Sequence, residues 1–469
     1  MDPTAKLCQI RDSFNQPQPT VDLPESFSFG TELPSYTLNI QESSIIDTPN
    51  LPPTFVDSDL YATLENIKLQ YNTPKFEEIR LQYNPFERIG NSIFIDRAGV
   101  KLANVDAVLN LTGHTGGFMA QQSLNEFTFV DLAGAPGAWT QYIQFRFPLS
   151  IGYGISLKEA IPWRTDILNM DSFAINYGED DTGNLYTNAE SFAKYVKTSV
   201  NTGVDLVMAD GGFSVKGEEE RQEFLTSRLI LSEMLTALES LRIGGSFICK
   251  VYDTVTKIMA DLIFLMSLCF ENIWLFKPIS SRPANSERYL VCKNLRPNIF
   301  EYINILATAY YRYQGKTSND IMITNLFSTL PEVFVSWLTN SNNQSFQTQI
   351  DYGNIILQLL NDHPVSLPQY NLYKCLVIWN LPDNPEYKPR RPRAIIESER
   401  GRGRGRGFER GRGRGFERGR GRGFERGRGR GNYERGRGRG NYERGRGRGF
   451  VQHEQVRDDI ITEVTPIYS

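Results

Sequence analysis

Between residues 127 and 293 six short apolar runs, "FTFVDL", "IGYGISL", "VDLVMAD", "GSFICKVYD", "NIWLFK" and "RYLVCK", alternate with stretches of helical periodicity. Several are nearly continuous in Val, Ile, Leu and Phe, where a half-exposed strand would alternate apolar with polar residues. Such runs suit strands buried on both faces, and the helices between them imply parallel crossovers. The pattern predicts an α/β fold: a mostly parallel, doubly wound sheet of Rossmann type with helices on both faces. Only "PISSRPANSE" separates the last two runs, too short for a helical crossover, so they are expected to end the sheet as an antiparallel hairpin.

Helical spacing supplies the covering layers. In "FIDRAGVKLANVDAVLNL" (94–111), Ala98, Leu102, Val105 and Leu109 share one face, Asp96 stands at the N-cap position and Lys101 lies near the apolar stripe. A second helix is expected from Glu218 to Arg242, with Phe224, Leu231, Leu235 and Leu238 inward and a stop at Gly244 and Gly245. The greasiest stretch, "IMADLIFLMSLCF" (258–270), is too short to span a bilayer and carries Asp261, so a buried helix is expected, no membrane partner, and a soluble intracellular protein. The expected organisation is an irregular arm (1–55), an α/β domain (56–298), a helical appendage (299–388) and a disordered tail (389–469).

That tail holds most of the positive charge. Residues 401–450 contain 18 Arg and 5 Glu, net +13, which leaves −16 on the other 419 residues. "GRGRGFER" recurs at a period of eight from 403, then "GRGRGNYER" at a period of nine from 427. Glycine at alternate positions forbids a stable helix or core, and repulsion among arginines favours extension. Arginines neutralise phosphates without fixed geometry, and Phe408, Phe416, Phe424, Tyr433 and Tyr442 offer stacking surfaces, so RNA is the expected partner of the Arg-Gly segment. A solubilising or protein-interaction tail is the alternative.

Other chemistries are poorly supplied. The five cysteines are scattered with no CxxC pair, and the three histidines, His114, His363 and His453, leave little for a histidine triad or a metal site; no metal is expected. What remains is "FVDLAGAPGAWTQYI" (129–143), a strand running through a glycine turn into a helix. In an open α/β sheet that turn takes a nucleotide-like cofactor, because glycine lets the backbone approach closely and the helix N-terminus faces an anionic group.

Four phrases, "FVDLAGAPGAW", "DLVMADGGFSVKG", "GGSFICKVYD" and "SSRPANSERYLVCK", resemble in order and spacing the FtsJ-related (RrmJ-type) S-adenosylmethionine-dependent RNA 2′-O-methyltransferases. With "DRAGVKLANVDAV" upstream and "KCLVIWNLPDN" (374–384) downstream, the likeness is greatest to the cap-specific (cap 1) mRNA enzymes, eukaryotic and viral, and covers roughly residues 85–385. The resemblance implies a Lys-Asp-Lys-Glu catalytic tetrad at Lys101, Asp210, Lys250 and Glu287, with Lys250 as general base toward a ribose hydroxyl. A lysine can take that proton only when neutral, so the role depends on how burial and neighbouring charges move it. The resemblance also implies S-adenosylmethionine bound by Asp131 and the turn Gly134, Ala135, Pro136, Gly137, Ala138 and Trp139. Asp96 stands where the cap enzymes have asparagine, and Asn184, or Asp180 or Asp181, falls at the adenine-contacting position.

The implied function is methylation of the first transcribed nucleotide of capped mRNA, cap 0 to cap 1. The capped 5′ end is then the substrate, and other capping enzymes are candidate partners for residues 300–385. The location is nuclear for a cellular owner, and host cytoplasm or virion for a viral one. The alternatives are an rRNA or tRNA 2′-O-methyltransferase and a non-catalytic RNA-binding subunit of a capping complex.

Overall fold

The computed structural model describes residues 24–44, 53–71, 75–88, 94–113, 126–212, 221–314, 321–365, 367 and 372–381. Along the chain the strands are β1 (Leu38–Ser44), β2 (Thr128–Leu132), β3 (Ile151–Ile155), β4 (Phe173–Ile175), β5 (Val204–Ala209), β6 (Leu241–Val251), β7 (Phe270–Phe276), β8 (Arg288–Leu295) and β9 (Ile321–Phe327). The helices are α1 (Ser58–Tyr71), α2 (Phe76–Tyr83), α3 (Arg97–Leu109), α4 (Ala138–Arg146), α5 (Leu185–Ser199), α6 (Gln222–Ser240), α7 (Lys257–Cys269), α8 (Phe300–Gln314), α9 (Glu332–Leu360) and α10 (Leu372–Ile378).

Seven strands form one sheet in the order β4-β3-β2-β5-β6-β8-β7. The first five are parallel, joined by crossovers as their continuous apolar runs predict. The expected hairpin is present, but β8 inserts between β6 and β7 and runs antiparallel to both. Val291 and Cys292, in the middle of β8, are wholly buried and lie opposite Ile248 and Phe247 of β6, so the insertion buries the hairpin's second strand in the sheet interior. Its functional consequence is positional: an antiparallel strand starts where its parallel neighbours end. The N-terminus of β8 therefore joins the C-terminal ends of β2, β5 and β6 along one edge of the sheet.

Helix α3 starts as expected: the Asp96 carboxylate accepts from Ala98 N at 2.7 Å. Helix α6 differs at its end. It stops at Ser240 and passes directly into β6, and Gly244, at φ +77°, belongs to an irregular register between β5 and β6 instead of a helix stop. Helix α7 is the buried helix over 258–270. Its Asp261 is matched internally, by an ion pair to Lys257 and by accepting from Leu326 N (2.7 Å) and Phe327 N (3.2 Å).

The segment expected as an irregular arm contains a strand, because β1 pairs antiparallel with β9 and Phe27 exchanges two backbone hydrogen bonds with Ile273 (2.9 and 3.0 Å). Phe27 thus covers the otherwise open edge of β7. The segment expected as a helical appendage contains β9, and its Leu306, Phe327, Phe334 and Leu338 lie in the same apolar cluster as Phe247, Phe264 and Leu290 of the sheet layers. Pairing partners distant in sequence explain both differences: β1 and β9 become strands only through each other. The expected disordered tail lies outside the described residues.

Candidate active site

Every element at the C-terminal edge brings one group. After β2 the chain turns through Ala133 (φ +49°) and Gly134 to Gly137 (φ +105°), and α4 begins with no side chain capping its first turn. Gly134 is required there: a Cβ would sit 2.2 Å from the Asp131 carboxyl carbon. After β5 comes Asp210-Gly211-Gly212. A Cβ on Gly211 would lie 3.0 Å from that of Ala133, and one on Gly212 would lie 3.1 Å from Lys250 Nζ. The loop is thus wedged between the β2 turn and the end of β6.

The pairing register then places the fourth group. Lys250 lies opposite Tyr289 and Val251 opposite Arg288, so Glu287, one residue before β8, comes level with the end of β6. Lys101 Nζ bonds Glu287 Oε1 at 2.6 Å, Ser281 Oγ donates to the same oxygen at 2.7 Å, and Lys250 Nζ donates to the Asp210 carbonyl at 2.7 Å and lies 3.3 Å from its Oδ1. Tyr289 OH links the two halves, donating to Asp210 Oδ1 at 3.2 Å with Glu287 Oε1 at 3.4 Å. Side-chain exposures of 11–19% leave these four groups largely desolvated yet reachable from solvent.

The electrostatics are set by this pairing. Burial alone would push Glu287 upward, but Lys101 and Lys250 hold it at about 2. Burial would push Lys250 down, and Asp210, Tyr252 and Glu287 outweigh it and raise the lysine above its ordinary value. Beneath the site two carboxyls make no direct ion pair among the described residues. Glu233 on α6 is fully buried, accepts from Cys249 Sγ at 3.3 Å, and is pushed up to about 8 by burial. Asp131 is pushed up to about 7 by burial, against the hydrogen bond from Thr140 Oγ1 (2.7 Å).

The structure therefore brings Lys101, Asp210, Lys250 and Glu287 together and sorts the cofactor candidates. Gly134, Ala135 and Pro136 are partly exposed beside the tetrad, whereas Gly137, Ala138 and Trp139 are buried. Asp131 is corrected: entirely buried, it lies under the turn and shapes it, away from any surface a ligand would meet. Trp139 packs on Tyr289 (5.6 Å between rings) and donates to the Ala98 carbonyl, forming a wall between α3 and β8. Asn184 caps α5 by accepting from Tyr186 N at 3.0 Å; Asp180 is tied to Thr182, Thr187 and Asn188; Asp181 pairs with Lys158. All three are engaged with neighbouring protein groups, Asp180 and Asn184 at the start of α5 and Asp181 with Lys158 after β3.

Sequence reasoning missed Ser281, Tyr289 and Lys277. The partly buried Lys277 donates to Asn285 O (2.6 Å), Asn285 Oδ1 (2.9 Å) and Glu287 O (2.9 Å), which fixes the loop that carries Glu287. Ser281 and Tyr289 stand in the same phrase as Glu287, but only the strand register gives them roles. Among the described residues no cluster of three or more His, Cys, Asp or Glu side chains could hold a metal ion, and no helix is long and apolar enough to cross a membrane. The cysteines at 249, 269, 292 and 375 are free and buried.

Residues 94–295 match the family model of FtsJ-like methyltransferases. The chain is 35% identical over 333 residues to the cap-specific mRNA (nucleoside-2′-O-)-methyltransferase 1 of Drosophila melanogaster, covering 66% of this chain and 42% of that protein. It is 30% identical over 414 residues to the human protein of that name, covering 83% and 48%. The chain thus spans under half the length of the curated relatives it matches. A solved ribosomal RNA methyltransferase structure from Plasmodium falciparum aligns at 22% identity over 43% of this chain and 97% of that one, with a TM-score of 0.32.

Proposed function

Residues 94–295 are an FtsJ-like methyltransferase domain, and from that premise we propose that the chain methylates the ribose 2′-O of the first transcribed nucleotide of capped mRNA, with S-adenosylmethionine as donor. The observation that carries this reading is the convergence of two lysines and two carboxylates, from four separate elements, at the edge where the glycine turn opens. The names of the relatives point to the capped 5′ end.

The turn fits such a donor. Its partly exposed Gly134–Pro136 backbone and the uncapped first turn of α4 suit a carboxylate-bearing ligand. When bound, the cofactor supplies an electrophilic methyl on a sulfonium; everything else falls to the chain. A 2′-hydroxyl is a poor nucleophile until its proton leaves, so a base within hydrogen-bond reach is required. Lys250 meets this geometrically. As a neutral amine it keeps one N–H on the Asp210 carbonyl and one toward Asp210 Oδ1, which leaves its lone pair for the hydroxyl proton. Its raised pKa in the free protein opposes that role, and a second positive charge entering the cleft moves it back down. Glu287, ionised throughout, holds Lys101 in place and orients the sugar.

The test is transfer of labelled methyl from S-adenosylmethionine to RNAs that differ only in their 5′ cap. Capped RNA should become labelled at the 2′-O of its first nucleotide and uncapped RNA should not. Equal labelling of both would favour the rRNA or tRNA reading, and no labelling of either would favour a non-catalytic subunit. The Arg-Gly repeats of 401–450 add sequence-independent RNA affinity in this proposal. Deleting 391–450 should weaken RNA binding and flatten its salt dependence, and unchanged affinity across salt concentrations would refute the tail's role.

A further inference from the structure

The hairpin that presents Glu287 has a second side. A cavity of about 560 Å³ opens there, between the β7–β8 connection, the segment around Asn84 and one face of α9. Its volume is that of a small-molecule site, roughly 300–1,000 Å³. Its described lining includes Lys277, Ser281 and Arg288 but none of Lys101, Asp210, Lys250 or Glu287, and no residue of the glycine turn.

Its charge is unbalanced. Arg288, 2% exposed, bonds Ser341 O and Oγ (both 3.3 Å), Asp253 O (2.6 Å), Thr254 Oγ1 (2.7 Å) and Asn342 Oδ1 (2.6 Å), all uncharged acceptors, and its Nε has no hydrogen-bond partner. Lys277 likewise bonds only carbonyl and amide oxygens. Neither cation has a carboxylate within ion-pair distance among the described residues, and the one acidic group in the described lining is Glu25, which is exposed. Asp253 and Glu223 attract the Arg288 guanidinium from beyond ion-pair distance, and an anionic ligand at its unpartnered Nε would complete it. Ser345, on the same wall, has a buried hydroxyl without a partner. The remaining lining joins aromatic rings, Phe276 and Trp337, to amides that both donate and accept, Asn340 and Gln344. Stacking faces, amide edges and an unmatched guanidinium together suit a base joined to a phosphate.

We propose that this cavity is a second ligand site that takes a nucleoside phosphate, either a free mononucleotide or a nucleotide within an RNA chain. The site communicates with the tetrad through two residues that belong to both. Ser281 lines the cavity and donates to Glu287 Oε1, and Lys277 lines it and holds the Glu287 carbonyl. The proposal stands apart from methyl transfer and is read by binding alone.

The full chain, with its donor site saturated by S-adenosylhomocysteine, is titrated calorimetrically with guanosine 5′-monophosphate, guanosine, and an uncapped oligoribonucleotide. One site per chain is expected, with the monophosphate bound at least tenfold more tightly than guanosine. Ser341→Asp, which sets a carboxylate beside the Arg288 guanidinium, should weaken it at least tenfold, as should Thr348→Trp, which fills the cavity from α9. Thermal unfolding of both variants checks their fold, and if one fails to fold the other decides. Displacement of the monophosphate by the oligonucleotide assigns the site to RNA, and absence of displacement to the free nucleotide; either pattern supports it. No binding by any probe, or binding unchanged in the folded variants, overturns it.

Discussion

Lys250 and Lys277 are two lysines of one sheet edge, both desolvated and both close to Glu287, and they move in opposite directions. Burial pushes both down. At Lys250 it is outweighed by the Asp210 side chain, Tyr252 and Glu287, and the lysine goes up. At Lys277 burial wins, because its bonded partners are a carbonyl pair and an amide while Arg288 and Lys101 add repulsion, and it falls to about 7. Burial therefore does not by itself decide which lysine can become a base; the carboxylates in contact decide it. The lysine with the lower pKa holds the loop, and the lysine with the higher pKa stands among the Asp210 and Glu287 carboxylates.

The sharpest way to break this contrast is Lys250→Ala. Methyl transfer should fall by about 10²–10⁴-fold or below detection, with the melting temperature nearly unchanged, because the side chain ends at the rim and not in the core. Full activity would remove Lys250 from the mechanism. Glu287→Gln comes next. It should lower the rate on the order of 10²-fold, and the rising limb of the pH–rate profile should move to lower pH, since Lys250 loses an acidic neighbour; a limb that stays put would detach Glu287 from Lys250.

Lys277→Met should have a smaller effect. Loss of a hydrogen-bonded brace, roughly 1 kcal/mol, corresponds to about fivefold in kcat, with KM unchanged because the brace meets no substrate. Its pKa is depressed on folding, so the stability linked to it is whole above its unfolded value and disappears as pH falls through about 7. Relative to wild type the variant should therefore gain melting temperature as pH falls from 10.5 toward about 7, with no further gain below that. Glu233→Gln should do the reverse. The raised carboxyl contributes stability that is whole below its unfolded value and disappears as pH rises through about 8, so the variant should gain on wild type between pH 5 and 9. The shift should be a few degrees, and parallel melting curves across that range would show that Glu233 does not titrate there.

Much of this was readable in advance. The parallel strands followed from their continuous apolar runs, α3 from its 3.6-residue stripe and the Asp96 cap, and the choice of Lys101, Asp210, Lys250 and Glu287 as a group from the upstream phrase "DRAGVKLANVDAV" and three of the four later ones. The readings that failed involve partners far apart in sequence. β1 and β9, 277 residues apart from Ser44 to Ile321, are strands only because they pair. Asp131 looked like a ligand contact because nothing in "FVDLAGAPG" says that its carboxyl turns inward beneath Gly134.

By itself the sequence determined which residues could do chemistry and which segments could be strands, because hydrophobic period and turn chemistry are local properties of the chain. Only the tertiary structure decided what those residues became. Inserting β8 antiparallel beside β6 brought Glu287 level with Lys250, and the same pairing left Arg288 buried on the other side, where its hydrogen-bond acceptors among the described residues are all uncharged. Register and burial are long-range quantities, and they fix both where a charge stands and which way its proton equilibrium moves.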